Sequence, residues 1–158
     1  MPELPESAQR VQAALDRSGL AFRVVEMPAS TRTAKEAAAA IGCTVAQIAK
    51  SIVFRGAVSG KPILVVTSGT NRVNEQAMAA LAGEPLEKAS ADFVRESTGY
   101  AIGGVPPAGF PAPIATWIDP DLLQFEQIWA AAGTPFAVFG LDPRHLPEIT
   151  GGTLARVT

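Results

Sequence analysis

The segment from Thr98 to Pro113, TGYAIGGVPPAGFPAP, can form neither a helix nor a central strand. Proline lacks a backbone donor, and glycine weakens both kinds of regular structure. The segment is therefore either a surface crossover between two parts of the fold or a rigid loop whose glycines let the backbone approach a ligand closely. Its glycines and prolines are Gly99, Gly103, Gly104, Gly109, Pro106, Pro107, Pro111 and Pro113.

A second segment, Cys43 to Phe54 (CTVAQIAKSIVF), places Lys50 between a helical pattern and a strand pattern. Thr44 and Gln47 have the spacing of a capping box, which predicts a short helix directly after Thr44. Residues 51–54 have the composition of a strand. We therefore predict that Lys50 lies at the junction of the two elements.

The residues around Lys50 are apolar: Ile48, Ile52, Val53 and Phe54 are expected to surround it. Burial of a lysine amine lowers its pKa, because water no longer stabilises the charged form. The alternative is an exposed lysine whose stem lies over an apolar edge while the amine stays in water. Both interpretations remain open on these residues alone.

The remaining strand and helix patterns follow one another in a mixed order. Pro62 to Thr67 (PILVVT) predicts a strand buried on both faces, paired antiparallel with the Lys50 strand across a turn. Ser68 to Arg72 is a polar loop at the exit of that strand, a common position for ligand contacts. The mixed order argues against a doubly wound sheet and favours an α+β fold. Helices are also predicted at 7–18 and after Thr33, Asn74, Ser90 and Asp142, and strands at 22–26, 114–118, 125–131, 135–140 and 153–157.

Composition excludes several classes of protein. The chain has 158 residues, of which 47% are hydrophobic and 18% charged, a balance typical of a globular domain. Its net charge of −2 argues against a general DNA- or RNA-coating protein. We expect no membrane span and no signal peptide, and a cytoplasmic location.

The chain offers few side chains for nucleophilic or metal chemistry. Its one cysteine, Cys43, excludes an internal disulfide, and with its one histidine, His145, makes a zinc cluster improbable. His145 lies in a polar helix start and is expected at the surface. Cys43 follows Gly42 in a turn and is expected to be structural. No metal and no organic cofactor are therefore expected.

The lysine segment and the Gly/Pro segment together resemble the YbaK/ProX family of aminoacyl-tRNA deacylases, which share a domain with the editing insert of bacterial prolyl-tRNA synthetases. The family carries a lysine in a (V/I)xKS/TLVF-like segment, matched by residues 48–54, and a G-x-x-x-P loop, matched by residues 103–107, with Gly109 following. The resemblance extends from about Leu20 to Val157. It implies one α+β domain over residues 1–158: a mixed, partly closed barrel of about six strands with flanking helices.

The resemblance also implies a site. Its expected catalytic residues are Lys50, Gly103, Gly104 and Pro107. Its expected substrate-binding residues are Thr31, Arg32, Thr33, Ile52, Ser68, Gly69, Val105 and Gly109. The chain departs from the family at Pro106, where serine is common, so a role for that hydroxyl is absent here.

Three functions are compatible with these residues. The expected one is a free-standing trans-editing hydrolase that deacylates mischarged aminoacyl-tRNA with a positioned water, Lys50 and loop backbone groups. The tRNA would be held at its acceptor end, with a synthetase or elongation factor as a transient partner. The alternatives are a non-catalytic module that binds a tRNA end or a small ligand, and a lyase in which Lys50 forms a Schiff base.

Overall fold

The structure, a computed structural model, describes residues 3–158 as a mixed α/β fold built on one eight-stranded sheet. Helices α1 to α5 span Glu6–Asp16, Ala34–Ile41, Glu75–Ala82, Ala91–Thr98 and Leu146–Thr150. Strands β1 to β8 span Val24–Glu26, Ile48–Gly56, Pro62–Ser68, Leu86–Lys88, Ala115–Ile118, Ile128–Ala131, Ala137–Leu141 and Thr153–Leu154. The expected fold class is confirmed, with eight strands where the resemblance implied about six.

The sheet mixes parallel and antiparallel pairs. Its strand order is β1-β7-β6-β2-β3-β5-β8, and β4 pairs with β2 outside this path. Strands β2 and β6, β3 and β5, and β5 and β8 are parallel, whereas the other pairs are antiparallel. This topology confirms that the fold is not a doubly wound sheet. Within residues 3–158, no helix has the length and apolarity needed to cross a membrane.

The centre of the sheet is the antiparallel pair of β2 and β3. Leu64, Val65 and Val66 have no exposed surface, which confirms the prediction that β3 is buried on both faces. Leu64 and Val66 belong to the main core, whereas Val65 belongs to a smaller cluster on the opposite face with Phe54. Successive side chains of a strand point to opposite faces, so the period of two explains this division.

Strand β2 begins earlier than the sequence predicted. The capping box of Thr44 and Gln47 is present, but the helical piece is a single 3₁₀ turn, Val45–Gln47. The strand starts at Ile48, which pairs with Trp129 of β6. Lys50 is therefore inside β2, and the predicted junction at Lys50 is wrong because this pairing extends the strand towards its N-terminus.

One edge of β2 is shared by two strands and is open between them. Strand β6 pairs with β2 only at Ile48 and Ala49, and β4 pairs with it only from Phe54 to Gly56. We call the stretch between them, Lys50 to Val53, the fork. Both flanking strands are short, with four residues in β6 and three in β4, so neither reaches along the fork.

Local signals set the helix ends. The side chains of Thr33, Asn74 and Ser90 accept hydrogen bonds from the backbone N–H three residues on, at the starts of α2, α3 and α4. These three predicted caps are confirmed. Each of the three helices ends at a glycine in the left-handed conformation, namely Gly42, Gly83 and Gly99.

The Gly/Pro segment crosses from the surface into the core. Ala101 and Ile102 are exposed, whereas residues 104–107 are buried. The Gly104 carbonyl accepts a hydrogen bond from Gly133 N–H at 2.8 Å, just beyond β6. This bond fixes the middle of the segment against the connection between β6 and β7, next to the fork.

Candidate functional site

A cavity of about 390 Å³ lies at the fork of β2. Residues 48–53 form one wall, residues 129–131 of β6 a second, and Ile102, Gly103 and Val105 of the Gly/Pro segment a third. The loop from Thr31 to Thr33 and the start of α2 add to the lining, as do Ala89, Val94 and Val138. The cavity therefore exists because β6 and β4 leave the middle of β2 uncovered.

The walls are mostly apolar and the polar groups are few. Buried apolar side chains from six separate segments line the cavity: Ala37, Ile48, Ala49, Val53, Val94, Val105, Ala130 and Val138. The polar lining residues are Thr31, Arg32, Thr33, Lys50 and Ser51. A cavity of this kind fits a small, largely apolar group carried by a polar one.

The Lys50 amine is partly buried and held by one hydrogen bond. Its Nζ donates to the backbone carbonyl of Asn71 at 2.9 Å. Burial lowers the pKa of Lys50, the nearby positive charge of Arg72 lowers it further, and Asp119 opposes both. The alternation of β2 puts the Lys50 side chain on the face opposite that of Val53, so the expected contact with Val53 is wrong.

Near Lys50 lies a cluster of hydrogen-bonded polar groups that the sequence did not predict. We call Asp119 and its partners Thr67, Ser68 and Asn71 the Asp119 cluster. The buried Asp119 carboxylate accepts hydrogen bonds from Thr67 Oγ1 at 2.8 Å, Ser68 N–H at 3.1 Å and Asn71 Nδ2 at 2.8 Å. Burial alone would raise the pKa of Asp119, but these bonds and one from Asp121 N–H outweigh it and hold the pKa low. The cluster fixes the Asn71 backbone that holds Lys50.

Only one of the hydrogen bonds of Asp119 is local. Its side chain accepts from Asp121 N–H at 2.9 Å, at the start of a 3₁₀ turn. Its other donors come from β3 and the loop after it, about 50 residues earlier in the chain. Their meeting depends on the parallel pairing of β3 with β5, and nothing local in the sequence signals it.

Comparisons with known proteins identify the family to which this fold belongs. The model of the aminoacyl-tRNA editing domain matches residues 28–149. This chain belongs to the aminoacyl-tRNA editing domain family. It is 32% identical over 127 residues to YwhH of Bacillus subtilis (strain 168), covering 80% of each chain. It is 25% identical over 127 residues to EbsC of Enterococcus faecalis (strain ATCC 700802 / V583), described as a candidate Cys-tRNA(Pro)/Cys-tRNA(Cys) deacylase, covering 80% and 77% of the two chains.

A solved structure extends the comparison to nearly the whole editing domain. A crystal structure described as a candidate trans-editing enzyme for prolyl tRNA synthetase is 48% identical, with a TM-score of 0.92. The match covers 99% of both chains. The resemblance to the YbaK/ProX family, drawn from two short segments, is therefore confirmed over the full fold.

The cavity of this editing domain brings together seven of the twelve expected site residues. They come from three regions that are distant in sequence: the loop before α2, strand β2 and the Gly/Pro segment. Gly103, in the Gly/Pro segment, packs against Arg32, in the loop before α2: a Cβ added to Gly103 would lie 2.7 Å from Arg32 Cγ. The seven residues are Thr31, Arg32, Thr33, Lys50, Ile52, Gly103 and Val105.

The other five expected residues lie outside the lining, and four have evident structural roles. Ser68 donates from Oγ to the Ala46 carbonyl at 2.7 Å. A Cβ on Gly69 would collide with the Val45 carbonyl. Gly104 is bonded to Gly133, and Gly109 accepts from the Tyr100 hydroxyl at 3.1 Å. Pro107 is buried behind the cavity wall.

Two hydroxyl groups that line the cavity have surroundings that the sequence did not predict. Thr31 Oγ1 and Ser51 Oγ are buried and have no hydrogen-bond partner among the described residues. Buried hydroxyls are normally paired, so these two retain unused hydrogen-bonding capacity inside the cavity. Ser51 was missing from the expected site, although it directly follows Lys50.

The two side chains considered as nucleophiles lie outside the cavity lining. His145 is only partly exposed, with its ring 5.9 Å from that of Phe22 in an edge-on arrangement. Cys43 packs against the small apolar cluster that includes Ala37 and Ala38 of α2. Burial raises the pKa of its thiol, which makes the thiol less reactive. Within residues 3–158, no three His, Cys, Asp or Glu side chains are grouped to hold a metal ion.

Proposed function

We propose that this protein is a free-standing trans-editing deacylase that hydrolyses the ester of mischarged aminoacyl-tRNA. The observation that best supports this function is that Lys50 and Gly103 line the same cavity. Its volume of about 390 Å³ lies at the lower end of the range of small-ligand pockets and has room for an aminoacyl group. Membership of the editing domain family and the likeness to EbsC support the same substrate class.

Hydrolysis of an aminoacyl ester needs little chemistry from the protein. The ester is already activated, so a positioned water, a donor for the developing oxyanion and anchors for the two ends of the substrate are sufficient. We assign Lys50 to the substrate, as a cation for the carbonyl oxygen or the terminal phosphate. Arg32 and Thr33, at the mouth beside the start of α2, are assigned to the tRNA end.

The choice of water over a protein nucleophile follows from the lining. His145 and Cys43 are outside it, and its hydroxyl residues, Thr31, Thr33 and Ser51, have no histidine beside them among the described residues. A serine or threonine without an adjacent base is a weak nucleophile. Direct attack by water is therefore the proposed route.

A non-catalytic binding module is the second candidate function. Pro106 stands where the family often has serine, and it is buried, so no hydroxyl is available there. In that case the cavity would bind the acceptor end of a tRNA or a small ligand without turnover. Partners beyond tRNA, such as a synthetase or an elongation factor, and a cytoplasmic location, belong to the editing proposal and rest on it.

The deciding experiment is a panel of mischarged tRNAs incubated with the wild type, Lys50→Ala and Lys35→Ala. Lys35 is an exposed lysine of α2 outside the cavity lining, so it is a matched control. We expect the wild type and Lys35→Ala to release one or more amino acids, and Lys50→Ala to be slower by about 10²–10³-fold.

Three results would contradict parts of the proposal. Absence of turnover by the wild type on every aminoacyl-tRNA, together with measurable binding, would favour the binding module. Equal turnover by Lys50→Ala would assign the lysine to structure. Trapping of a carbonyl substrate on Lys50 by borohydride would instead reveal a Schiff-base enzyme.

A further inference from the structure

The backbone of Ser51 faces the cavity side of β2. Gly56 N–H donates to the Lys61 carbonyl at 2.9 Å, across the end of the β2–β3 pair. In an antiparallel pair, alternate residues direct both N–H and C=O to the partner strand. The even-numbered residues of β2, including Ile52, therefore bond to β3, and the odd-numbered residues, including Ser51, face the other edge.

On that other edge Ser51 lies in the fork, with no strand opposite it. Ala49 is paired with β6 and Arg55 with β4, but Ser51 is in neither ladder. Its N–H and C=O thus form one adjacent donor and acceptor at the cavity wall. Its hydroxyl, with that of Thr31, adds buried polar atoms that have no partner among the described residues.

One residue of an antiparallel strand exchanges two hydrogen bonds with the residue opposite it. The smallest ligand that can do the same is an α-amino acyl group, which carries an ammonium and a carbonyl oxygen on one edge. Proteins commonly bind extended chains at open strand edges in this way. Of the two odd-numbered residues in the fork, Val53 directly adjoins the β4 pairing at Phe54, so Ser51 is the one with an open position opposite it.

We propose that Ser51 is the residue that binds the main chain of the aminoacyl group, which rests on the deacylase function proposed above. The Ser51 carbonyl accepts from the α-ammonium, and the Ser51 N–H donates to the acyl carbonyl oxygen. Negative charge develops on that oxygen when water attacks, so the same N–H is an oxyanion donor. Lys50 and Ser51 then act from consecutive positions of one strand.

This pairing also orients the acyl side chain. Residues opposite each other in a ladder point their side chains to the same face. Ser51 shares its face with Ala49 and Val53, which line the apolar part of the cavity. The acyl side chain therefore enters the apolar cavity beside Ser51 Oγ.

Amide hydrogen exchange of ¹⁵N-labelled protein tests the assignment, with Ile52 as an internal control. The probe is an adenosine carrying alanine through a 3′-amide, which cannot be hydrolysed as an ester. We expect saturating probe to slow exchange of the Ser51 amide by at least about tenfold, because a new hydrogen bond protects it. The Ile52 amide, already bonded to β3, should change little. Ser51→Ala keeps the backbone edge, so its residue-51 amide should be protected equally.

A second probe, carrying propionate in place of alanine, lacks the ammonium and should bind at least about tenfold more weakly, since it leaves the Ser51 carbonyl unpaired. The assignment is overturned if the alanyl probe shifts the Gly103 and Val105 signals while Ser51 exchange is unchanged. It is also overturned if the two probes bind equally. Parallel deacylation assays separate the two proposals: turnover without Ser51 protection removes only the assignment, whereas protection without turnover removes only the deacylase function.

Discussion

Lys50 and Ser51 are neighbours in β2, yet their side chains lie in opposite environments. On the Lys50 face, the Asp119 cluster pairs its polar groups with one another, at distances from 2.8 to 3.1 Å. On the Ser51 face, the hydroxyls of Thr31 and Ser51 are buried without partners among the described residues. A paired cluster stabilises the fold and positions a neighbour, whereas unpaired groups in a cavity are available to a ligand. Substitutions on the two faces should therefore affect different properties.

The largest effect on stability is expected for Asp119→Ala. It leaves Thr67 Oγ1, Ser68 N–H and Asn71 Nδ2 without their acceptor, and buried unpaired groups are costly. We expect a loss of about 3 kcal/mol in the free energy of unfolding, and a melting temperature lower by about 10 °C. Asp121→Ala is the control, because the exposed Asp121 accepts from the same Asn71 side chain. Equal melting of the two variants would contradict the stabilising role.

The Asp119 effect should also depend on pH. Hydrogen bonds hold the folded-state pKa of Asp119 below its usual value, so its contribution is present above the unfolded-state pKa. That contribution is lost as the pH falls from about 3.9, the ordinary value for aspartate, through the lower folded-state pKa. The difference in stability between wild type and Asp119→Ala should therefore shrink in acid. A difference that stays constant down to the acid transition would show that the carboxylate charge is unimportant.

Gly103→Ala and Gly104→Val should separate activity from packing within one loop. A Cβ on Gly104 would lie 2.8 Å from Thr134 N and 2.9 Å from Gly133 C, so the backbone must move. We expect Gly104→Val to lose about 2 kcal/mol of stability. At Gly103, where φ is +96°, a Cβ displaces the flexible Arg32 side chain, and we expect an activity loss of about tenfold with a smaller stability loss.

Melting and turnover of the two glycine variants should be measured together. Because of the buried backbone contacts of Gly104, Gly104→Val should reduce stability as well as activity, whereas Gly103→Ala should mainly reduce activity. If Gly104→Val has the same melting temperature as the wild type, the loop can accommodate the added side chain despite its close backbone contacts. If Gly103→Ala keeps full activity, Gly103 leaves the list of site residues.

A smaller effect is expected for Ser51→Ala and Thr31→Val, and it should appear as selectivity. Their unpaired hydroxyls can bond to a polar atom on the acyl side chain, such as the seryl hydroxyl. We expect kcat/KM for seryl-tRNA to fall about tenfold relative to 2-aminobutyryl-tRNA, which has a methyl group in its place. An equal change for both esters would mean that the hydroxyls serve packing or bound water only.

The smallest effect is expected on the ionisation of Lys50. Burial is the largest cause that lowers the pKa of Lys50, and the positive charge of Arg72 is the second. Arg72→Gln should therefore raise that pKa, and only slightly, because the charge of the exposed Arg72 is screened by solvent. The amine would then stay charged to a higher pH. A ¹³C NMR titration of Lys50 Cε measures this, with Arg55→Gln as a control at the far end of β2.

The sequence was most informative where structure depends on near neighbours. The caps at Thr33, Asn74 and Ser90 and the apolar run of β3 were predicted because side chain and backbone lie within a few residues. Strand β4 was not predicted: its three residues, LEK, are partly or fully exposed and are ordered by pairing with β2. Propensity over three residues is too weak a signal to reveal it.

The site was predicted in the same partial way. Lys50 and Gly103 were found because each lies in a recognisable segment, and the cavity brings them together. The fork could not be predicted, since it depends on where β6 and β4 stop along β2. Ser51 was missed for that reason: its residue type is ordinary, and only its place between two strand ends makes its backbone available.

The shared edge of β2 has a consequence for the order in which the molecule assembles. Strands β2 and β3 are joined by a short turn and can pair as soon as both have been synthesised. A partner on the other edge, β6, comes from Ile128–Ala131, so its pairing closes a loop of about half of the 158 residues. The cavity therefore cannot exist on a nascent chain until β6 has left the ribosome. Until then, the β2 edge with Lys50 and Ser51 is exposed to solvent and to other chains.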